Sequence, residues 1–183
     1  MPPETTIREK KVFQGKLLDL SLREVSLTDG TIVGREVVIN RGAVAIVAIT
    51  DQNQVRLVRQ WRAAAQKFVT ELPAGGLETG EDPGQAARRE LLEETGDQAT
   101  TWQKLPGYFA SPGILTEYLH LFLATGLSPG PNQPEFEENL EIITVPYSEA
   151  LDMIRCGEIE DAKTIAGLLH AGLHLGWLEE KQR

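Results

Sequence analysis

The run Gly42-Ala43-Val44-Ala45-Ile46-Val47-Ala48-Ile49-Thr50 is apolar at almost every position. A strand with one wet face alternates apolar and polar residues, whereas a short unbroken apolar run is expected of a strand covered on both faces. The segment therefore belongs in the middle of a sheet, and the main domain is expected to start near Arg41. Val55 to Trp61 reads as a second strand of the same region, joined to the first by a turn at Asp51-Gln52-Asn53-Gln54. Ahead of the run, residues 11 to 39 read as strands. Leu18, Leu20 and Leu22 alternate, Val25 and Leu27 come next, and Thr28-Asp29-Gly30-Thr31 turns the chain into Ile32 to Ile39. The apolar parity changes between Leu22 and Val25, which predicts either a bulge or a strand break there.

Downstream, Asp82-Pro83-Gly84-Gln85 carries helix-start signals: an N-cap aspartate, proline at the first helical position and a glutamine placed for a capping box. Gly96 is placed to end that helix. Lys104 to Ala110 and Tyr118 to Thr125 look like strands separated by the turn Ser111-Pro112-Gly113. Ser128 to Asn139 reads as a proline-rich acidic loop, and Leu140 to Val145 as a strand. A helix from about Ser148 to Arg155 is stopped by Gly157. A last helix over Ala162 to Leu178 carries Ile165, Leu168, Leu169 and Leu173 on one stripe.

The net charge of -9 leaves no basic block to track a phosphate backbone, so nucleic acid is not an expected partner. An anionic small molecule is still admissible, because a metal ion and a few arginines reverse the local sign. Cys156 is the only cysteine, which excludes an internal disulfide and multi-cysteine zinc sites; it is expected to be a half-buried filler near a helix end. The opening residues lack the basic and apolar regions of a signal peptide, and no run reaches membrane-spanning length. A cytoplasmic protein with no membrane partner is expected.

Residues 75 to 96 concentrate acids on a loop and a capped helix. At about 100 degrees per residue, Glu90, Glu93 and Glu94 fall on one face of the helix. Like charges so spaced repel, and a divalent cation converts that repulsion into binding. Mg²⁺ suits the arrangement, since it takes oxygen ligands and is commonly held by one or two carboxylates together with substrate phosphates. Arg89 lies one turn before Glu93 and can steady it. A solvated acidic helix face is the ordinary alternative for such a pattern.

The spacing separates these readings. Gly75, five residues, Glu81, seven residues, then Arg89-Glu90-Leu91-Leu92-Glu93-Glu94-Thr95-Gly96 resembles the Nudix box, a long pattern that chance seldom fills. Asp97 is its one departure, standing where the family usually has an apolar residue. Glu71-Leu72-Pro73-Ala74-Gly75-Gly76, Pro112 in its turn, and Gly157-Glu158-Ile159-Glu160-Asp161-Ala162-Lys163-Thr164 are similar to the ADP-ribose pyrophosphatase branch.

That resemblance implies an α/β (α+β) Nudix fold, a mixed β-sheet sandwiched between helices with an N-terminal antiparallel strand element. Residues 1–40 would form that element, exchanged across a homodimer, and residues 41–183 the hydrolase domain; the competing expectation is a monomer whose opening strands extend the same sheet. It further implies hydrolysis of ADP-ribose to AMP and ribose 5-phosphate with Mg²⁺, Mn²⁺ being a substitute. Another nucleoside diphosphate sugar or a dinucleotide is the alternative substrate, and a non-catalytic nucleotide sensor is a less favoured class. The implied metal ligands are Glu90, Glu94 and the Ala74 carbonyl, with Glu93 sharing a further ion and Glu117 assisting; Glu81 supports the loop. The carboxylate that positions or deprotonates water is expected from the loop after the box, Glu138 first and then Glu137, with Glu93 also assigned to catalysis. Arg62 is implied to contact substrate phosphate, with Arg59, Glu71 and Pro112 as further binding residues. His170 and His174 have metal-pair spacing without a third ligand, and read as ordinary helix residues.

Overall fold

The computed structural model describes residues 2–130 and 140–178. The chain separates into two compact units: Met1–Gly42 with Phe109–Tyr118, and Ala43–Tyr108 with Leu119–Arg183.

The first unit is a three-stranded antiparallel sheet of β1 (Glu4–Gln14), β2 (Asp19–Leu27) and β3 (Ile32–Ile39), in that spatial order. Strand β2 runs without interruption, and its pairing with β3 is regular from Asp19 opposite Ile39 to Ser26 opposite Ile32. The parity change at Leu22 and Val25 is therefore neither a bulge nor a break in that strand. Ser21 and Val25 are buried on one face of β2, while Leu22 is exposed on the other. The irregularities lie in β1, between Thr6 and Arg8 and between Lys11 and Phe13, where apolar periodicity gives no warning.

The second unit is a mixed sheet between helices. Its strands are β4 (Ala43–Ile49), β5 (Gln54–Arg62), β6 (Lys67–Glu71), β7 (Ala74–Gly76), β8 (Asp97–Lys104), β10 (Tyr118–Pro129) and β11 (Glu141–Pro146), with the short β9 (Tyr108–Phe109) between β8 and β10 in sequence. The path across the sheet is β11-β5-β4-β10-β8. The apolar run thus lies at the centre, parallel to β10, with Leu119 opposite Ala43 and Thr125 opposite Ile49. Its alternate residues feed two cores. Val44, Ile46 and Ala48 pack with Phe122 and Ala124 against Ala86, Ala87 and Leu91 of α1 (Pro83–Thr95). Ala45, Val47 and Ile49 pack with Leu57, Leu72 and Leu121 against Tyr147 and Ala150 of α2 (Tyr147–Cys156) and Leu168 and Ala171 of α3 (Ala162–His174). A strand with apolar atoms on both sides can only be read as continuous, which is why this element is evident from its residues.

Several sequence expectations change. Residues 104 to 110 are not one strand. Strand β8 occupies Asp97–Lys104 instead, and Pro106-Gly107 separates it from β9. Its composition, Asp-Gln-Ala-Thr-Thr-Trp-Gln-Lys, has too few apolar residues to announce a strand. Strands β6 and β7 are also additions to the sequence reading. Ser128 and Pro129, read as the start of an acidic loop, belong to β10, and residues 131–139 of that stretch lie outside the described residues. The last helix ends at His174, not Leu178, and Gly176 comes after it with a φ of 70°. Cys156 is exposed instead of half-buried. No helix among the described residues is long and apolar enough to cross a membrane.

Candidate active site

The site is built where the central sheet opens. Strands β4 and β5 pair near their hairpin, where Ile49 faces Val55. Farther along, β6 pairs with β5 and β7 with β4, so the Leu72-Pro73 link crosses between them, and the Ile46 amide donates to the Pro73 carbonyl at 2.9 Å. The chain then runs through Ala74-Gly75-Gly76 to helix α1. Asp82 caps that helix by accepting from the Gly84 and Gln85 amides at 2.9 and 3.1 Å, and Gly96 closes it in the left-handed region, where glycine meets no Cβ penalty.

Both caps fix the rotation of α1, and this places Glu90 and Glu94 against the β7 loop. Glu90 is 9% exposed and Glu94 7%. Glu94 accepts from the Ala74 amide at 2.9 Å. The Glu90 carboxylate lies directly on Gly75; a Cβ there would sit 2.0 Å from its Cδ, so no other residue fits at position 75 without moving the carboxylate. Burial pushes the Glu90 carboxyl above the ordinary range, with Arg89 opposing that shift. Glu93, the third acid of the face, is half exposed and takes an Arg89 Nη1 bond at 2.9 Å.

Arg89 is the hub of the loop. It donates from Nε to Glu81 Oε1 at 3.0 Å, from Nη2 to Glu81 Oε2 at 3.0 Å, and from Nη1 to Glu90 at 2.7 Å, with a longer contact to the Gly76 carbonyl. Glu81 in turn accepts from the Glu78 amide at 3.0 Å and is held below the usual carboxylate range by Arg89. Loop and helix are thereby stapled into one piece by charge-assisted bonds. Asp97, the departure from the box, is buried and paired with Arg56 Nε at 2.7 Å, while Arg56 Nη1 donates to Thr144 Oγ1 at 2.5 Å. An ion pair occupies the place of an apolar contact.

Arg62, at the end of β5, forms a two-pronged bond with Glu71 at the end of β6: Nε to Oε1 and Nη2 to Oε2, both 2.7 Å. Lys163 donates to the same Glu71 Oε2 and lies 3.1 Å from Asp161. Burial pushes the Glu71 carboxyl up, yet Arg62 and Lys163 together bring it below the ordinary range. Both oxygens of Glu71 are thus engaged by cations of this chain, which favours anchoring over contact with a base or ribose. Arg59, three residues before Arg62, projects from the opposite face of β5; it pairs with Glu141 at 3.2 Å and lies 4.8 Å from the Phe68 ring centroid.

The structure therefore brings together Ala74, Glu90, Glu93 and Glu94, and sets Arg62 with Glu71. It does not bring Arg59 to them. Pro112 and Glu117 belong to the first unit, and Glu137 and Glu138 lie outside the described residues. Lys163, Asp161 and Arg56 receive no role from the sequence. The Asp161-x-x-Thr164 pattern is a capping signal that could have placed the first turn of α3, but nothing local marks the partner of Lys163 or of Arg56.

Among the described residues no three His, Cys, Asp or Glu side chains converge as a ready-made metal cage. The donor chemistry nevertheless fits a hard divalent cation. Glu90 and Glu94 offer buried oxygen donors one turn apart, beside a glycine with no room for a side chain. Three carboxylates, Glu81, Glu90 and Glu93, share one Arg89 in the bonds above, and Glu94 adds a fourth acid, leaving local negative charge. Mg²⁺ does not need a full protein cage, because waters and phosphates complete its shell.

Comparison with known proteins places this geometry in context. The NUDIX domain profile matches residues 39–168. An ADP-ribose pyrophosphatase of Bacillus subtilis (strain 168) is 39% identical over 163 residues, covering 88% of each chain. The methanol dehydrogenase activator of Bacillus methanolicus is 38% identical, covering 93% of each. An ADP-ribose pyrophosphatase of Mycobacterium tuberculosis is 39% identical over 90% of this chain and 81% of its own. A solved structure of an ADP compounds hydrolase superposes with a TM-score of 0.86, covering 97% of this chain and 96% of that one; at 22% identity the likeness is one of fold. The mixed sheet between helices, the capped acidic helix and these matches lead to one statement: the chain belongs to the NUDIX family.

Proposed function

We propose that this chain hydrolyses the pyrophosphate bond of ADP-ribose, giving AMP and ribose 5-phosphate, with Mg²⁺ as its metal and Mn²⁺ as a substitute. The observation that carries the reading is the pair of buried carboxylates, Glu90 and Glu94, held on the Ala74-Gly75 backbone. Burying two acids one turn apart costs stability unless a cation offsets them. Two relatives about 39% identical over most of this chain are ADP-ribose pyrophosphatases, which supports the substrate.

Glu90, Glu94 and the Ala74 carbonyl would hold the ion, with Glu93 as a further ligand. When bound, such an ion neutralises the diphosphate and acidifies a coordinated water. The protein's own part is positional. Arg89 and Glu81 lock the loop to α1, so that the carboxylates keep their spacing. Arg62 presents a guanidinium to a phosphate oxygen. Glu138, then Glu137, is assigned to orient or deprotonate the attacking water; both lie outside the described residues. Residues 1–40 are assigned to association of two copies, a reading supported by the exposed Ile7, Val12, Phe13 and Leu17.

A second substrate reading has one observation in its favour. The GDP-mannose pyrophosphatase of Escherichia coli (strain K12) is 30% identical, covering 90% of this chain. A panel of ADP-ribose, ADP-glucose, GDP-mannose, NADH and diadenosine compounds, assayed with Mg²⁺, separates the two. We expect ADP-ribose to show the highest kcat/KM, and absence of its turnover removes the leading substrate. Glu94→Gln should lower kcat by at least about a hundredfold, a scale on which loss of even an outer partner of a metal site is felt, with the fold retained. An undiminished rate in that variant removes the metal assignment.

A further inference from the structure

We infer that Lys163 is a positioning residue that releases the charge of Arg62 for substrate phosphate. The inference rests on the diphosphate hydrolase reading above and adds a residue to it. A two-pronged Arg–Glu pair is electrically neutral as a unit, so alone it is a poor anion site. Here the pair is Arg62 with Glu71, and Glu71 is 2% exposed, so water does little to screen its charge. Lys163 approaches the same Oε2 that Arg62 Nη2 uses. A second cation on the same carboxylate makes Arg62, Glu71 and Lys163 together a unit of net charge +1 instead of a neutral pair, so the guanidinium can attract an anion.

Asp161 would undo this if its own charge were uncommitted, since its Oδ1 lies 3.1 Å from Lys163. Its Oδ2 is instead the N-cap of α3, accepting from the Thr164 amide at 2.9 Å and from Thr164 Oγ1 at 2.6 Å. That carboxylate is set against the positive end of the helix. Arg62 keeps donors for a ligand. Glu71 takes its Nε and Nη2, and the side chain is about two-fifths exposed at 42%. After Glu71, the charges of Glu94 and Asp161 also act on Arg62 and favour its charged form.

The same turn of α3 also fixes the frame. Thr164 Oγ1 accepts from the Leu72 amide at 2.8 Å, and two residues on, the Ala74 amide donates to Glu94 at 2.9 Å. Lys163 and Thr164 therefore set the arginine and the acidic face from one short segment, so the phosphate contact and the proposed metal carboxylates move together.

The test compares the full-length native protein with Lys163→Met, Lys163→Gln and Lys163→Arg. Steady-state kinetics are measured on ADP-ribose with Mg²⁺, and ADP binding by titration calorimetry. Both neutral variants should raise KM and weaken ADP binding about tenfold or more, the size of effect expected of an outer partner, with kcat changed less than about threefold. Lys163→Arg should recover most of both. A merely structural lysine would lower the thermal midpoint in the neutral variants without this split. Unchanged KM and ADP affinity in a folded neutral variant overturns the inference, and so does failure of Lys163→Arg to recover them. If the native protein binds ADP but hydrolyses no diphosphate compound, the functional reading falls, and the calorimetric loss in the variants still decides the role of Lys163. A native protein that neither binds ADP nor hydrolyses a diphosphate compound overturns both.

Discussion

The two sheets of this chain are stabilised in different ways. In the second unit β4 is buried from Val44 to Ile49, with helices on both faces. In the first unit none of the residues of β1 is buried, and cross-strand ion pairs line the sheet: Arg23 with Glu9 at 2.9 Å, Arg35 with Glu4 at 2.5 Å, Lys11 with Asp19 at 2.8 Å. Exposed pairs of this kind contribute little each, about 0 to 1 kcal/mol, whereas apolar burial contributes about 25 cal/mol per Å². The contrast teaches that stability and the acidic site are lodged in the second unit, while the first carries apolar surface that its own strands do not cover.

Substitutions in each unit would break or sharpen that contrast. Leu57→Ala, in the inner core, should cost about 3 kcal/mol in urea unfolding, while Val12→Ala in β1 should cost less than about 0.5 kcal/mol in dilute protein. Equal losses would erase the distinction; a loss at Val12 that grows with protein concentration would instead assign β1 to a contact between copies. Asp97→Ala strands the part-buried Arg56 and should cost about 2 kcal/mol; no loss would show that the ion pair merely replaces an apolar contact at equal stability.

Glu71→Gln comes next and is read against pH. The Glu71 carboxyl lies below its ordinary range in the folded chain, so it binds protons less readily there than in the unfolded chain. Its contribution is fully present above the ordinary carboxylate range and fades as pH falls through the lowered folded value. The stability gap between native and variant should therefore be about 1 to 2 kcal/mol at neutral pH and narrow in acid; a gap that widens in acid contradicts the assignment. Smallest of all, Arg35→Ala should change stability by less than about 0.5 kcal/mol, a difference that shrinks further as salt is added.

How much is legible in the sequence divides along the same line. The central strand, the capped helix with its acidic face and the Gly96 stop are legible because each is encoded by neighbours in sequence: an apolar run, an aspartate before a proline, acids at i, i+3 and i+4. Strand β8 is not, because a sheet-edge element with Thr100, Thr101 and Gln103 has little need of apolar residues. Within the candidate site, Glu90 and Glu94 are legible from helix geometry, and their different burial from Glu93 is not, since it depends on where the β7 loop comes to rest. The engagement of Glu71 by Lys163 joins residues from separate strands and helices. No local pattern records such a meeting, and for this reason the sequence alone leaves Glu71 open between a ligand contact and an anchor for its loop. Arg59 and Arg62 look equivalent as letters, yet strand parity sends them to opposite faces.

The parallel pairing of β4 with β10 has a consequence for how the molecule comes into being. Leu119 faces Ala43 across the middle of the sheet, and the entire acidic segment lies between them along the chain. Ladders between such distant partners close slowly, because a long loop must be ordered before any bond forms. A ribosome must therefore deliver the polypeptide through Thr125 before the floor beneath α1 exists, and until then Glu90 and Glu94 belong to a helix with nothing to rest upon. Metal-binding competence should appear late and abruptly during synthesis, together with the tertiary fold.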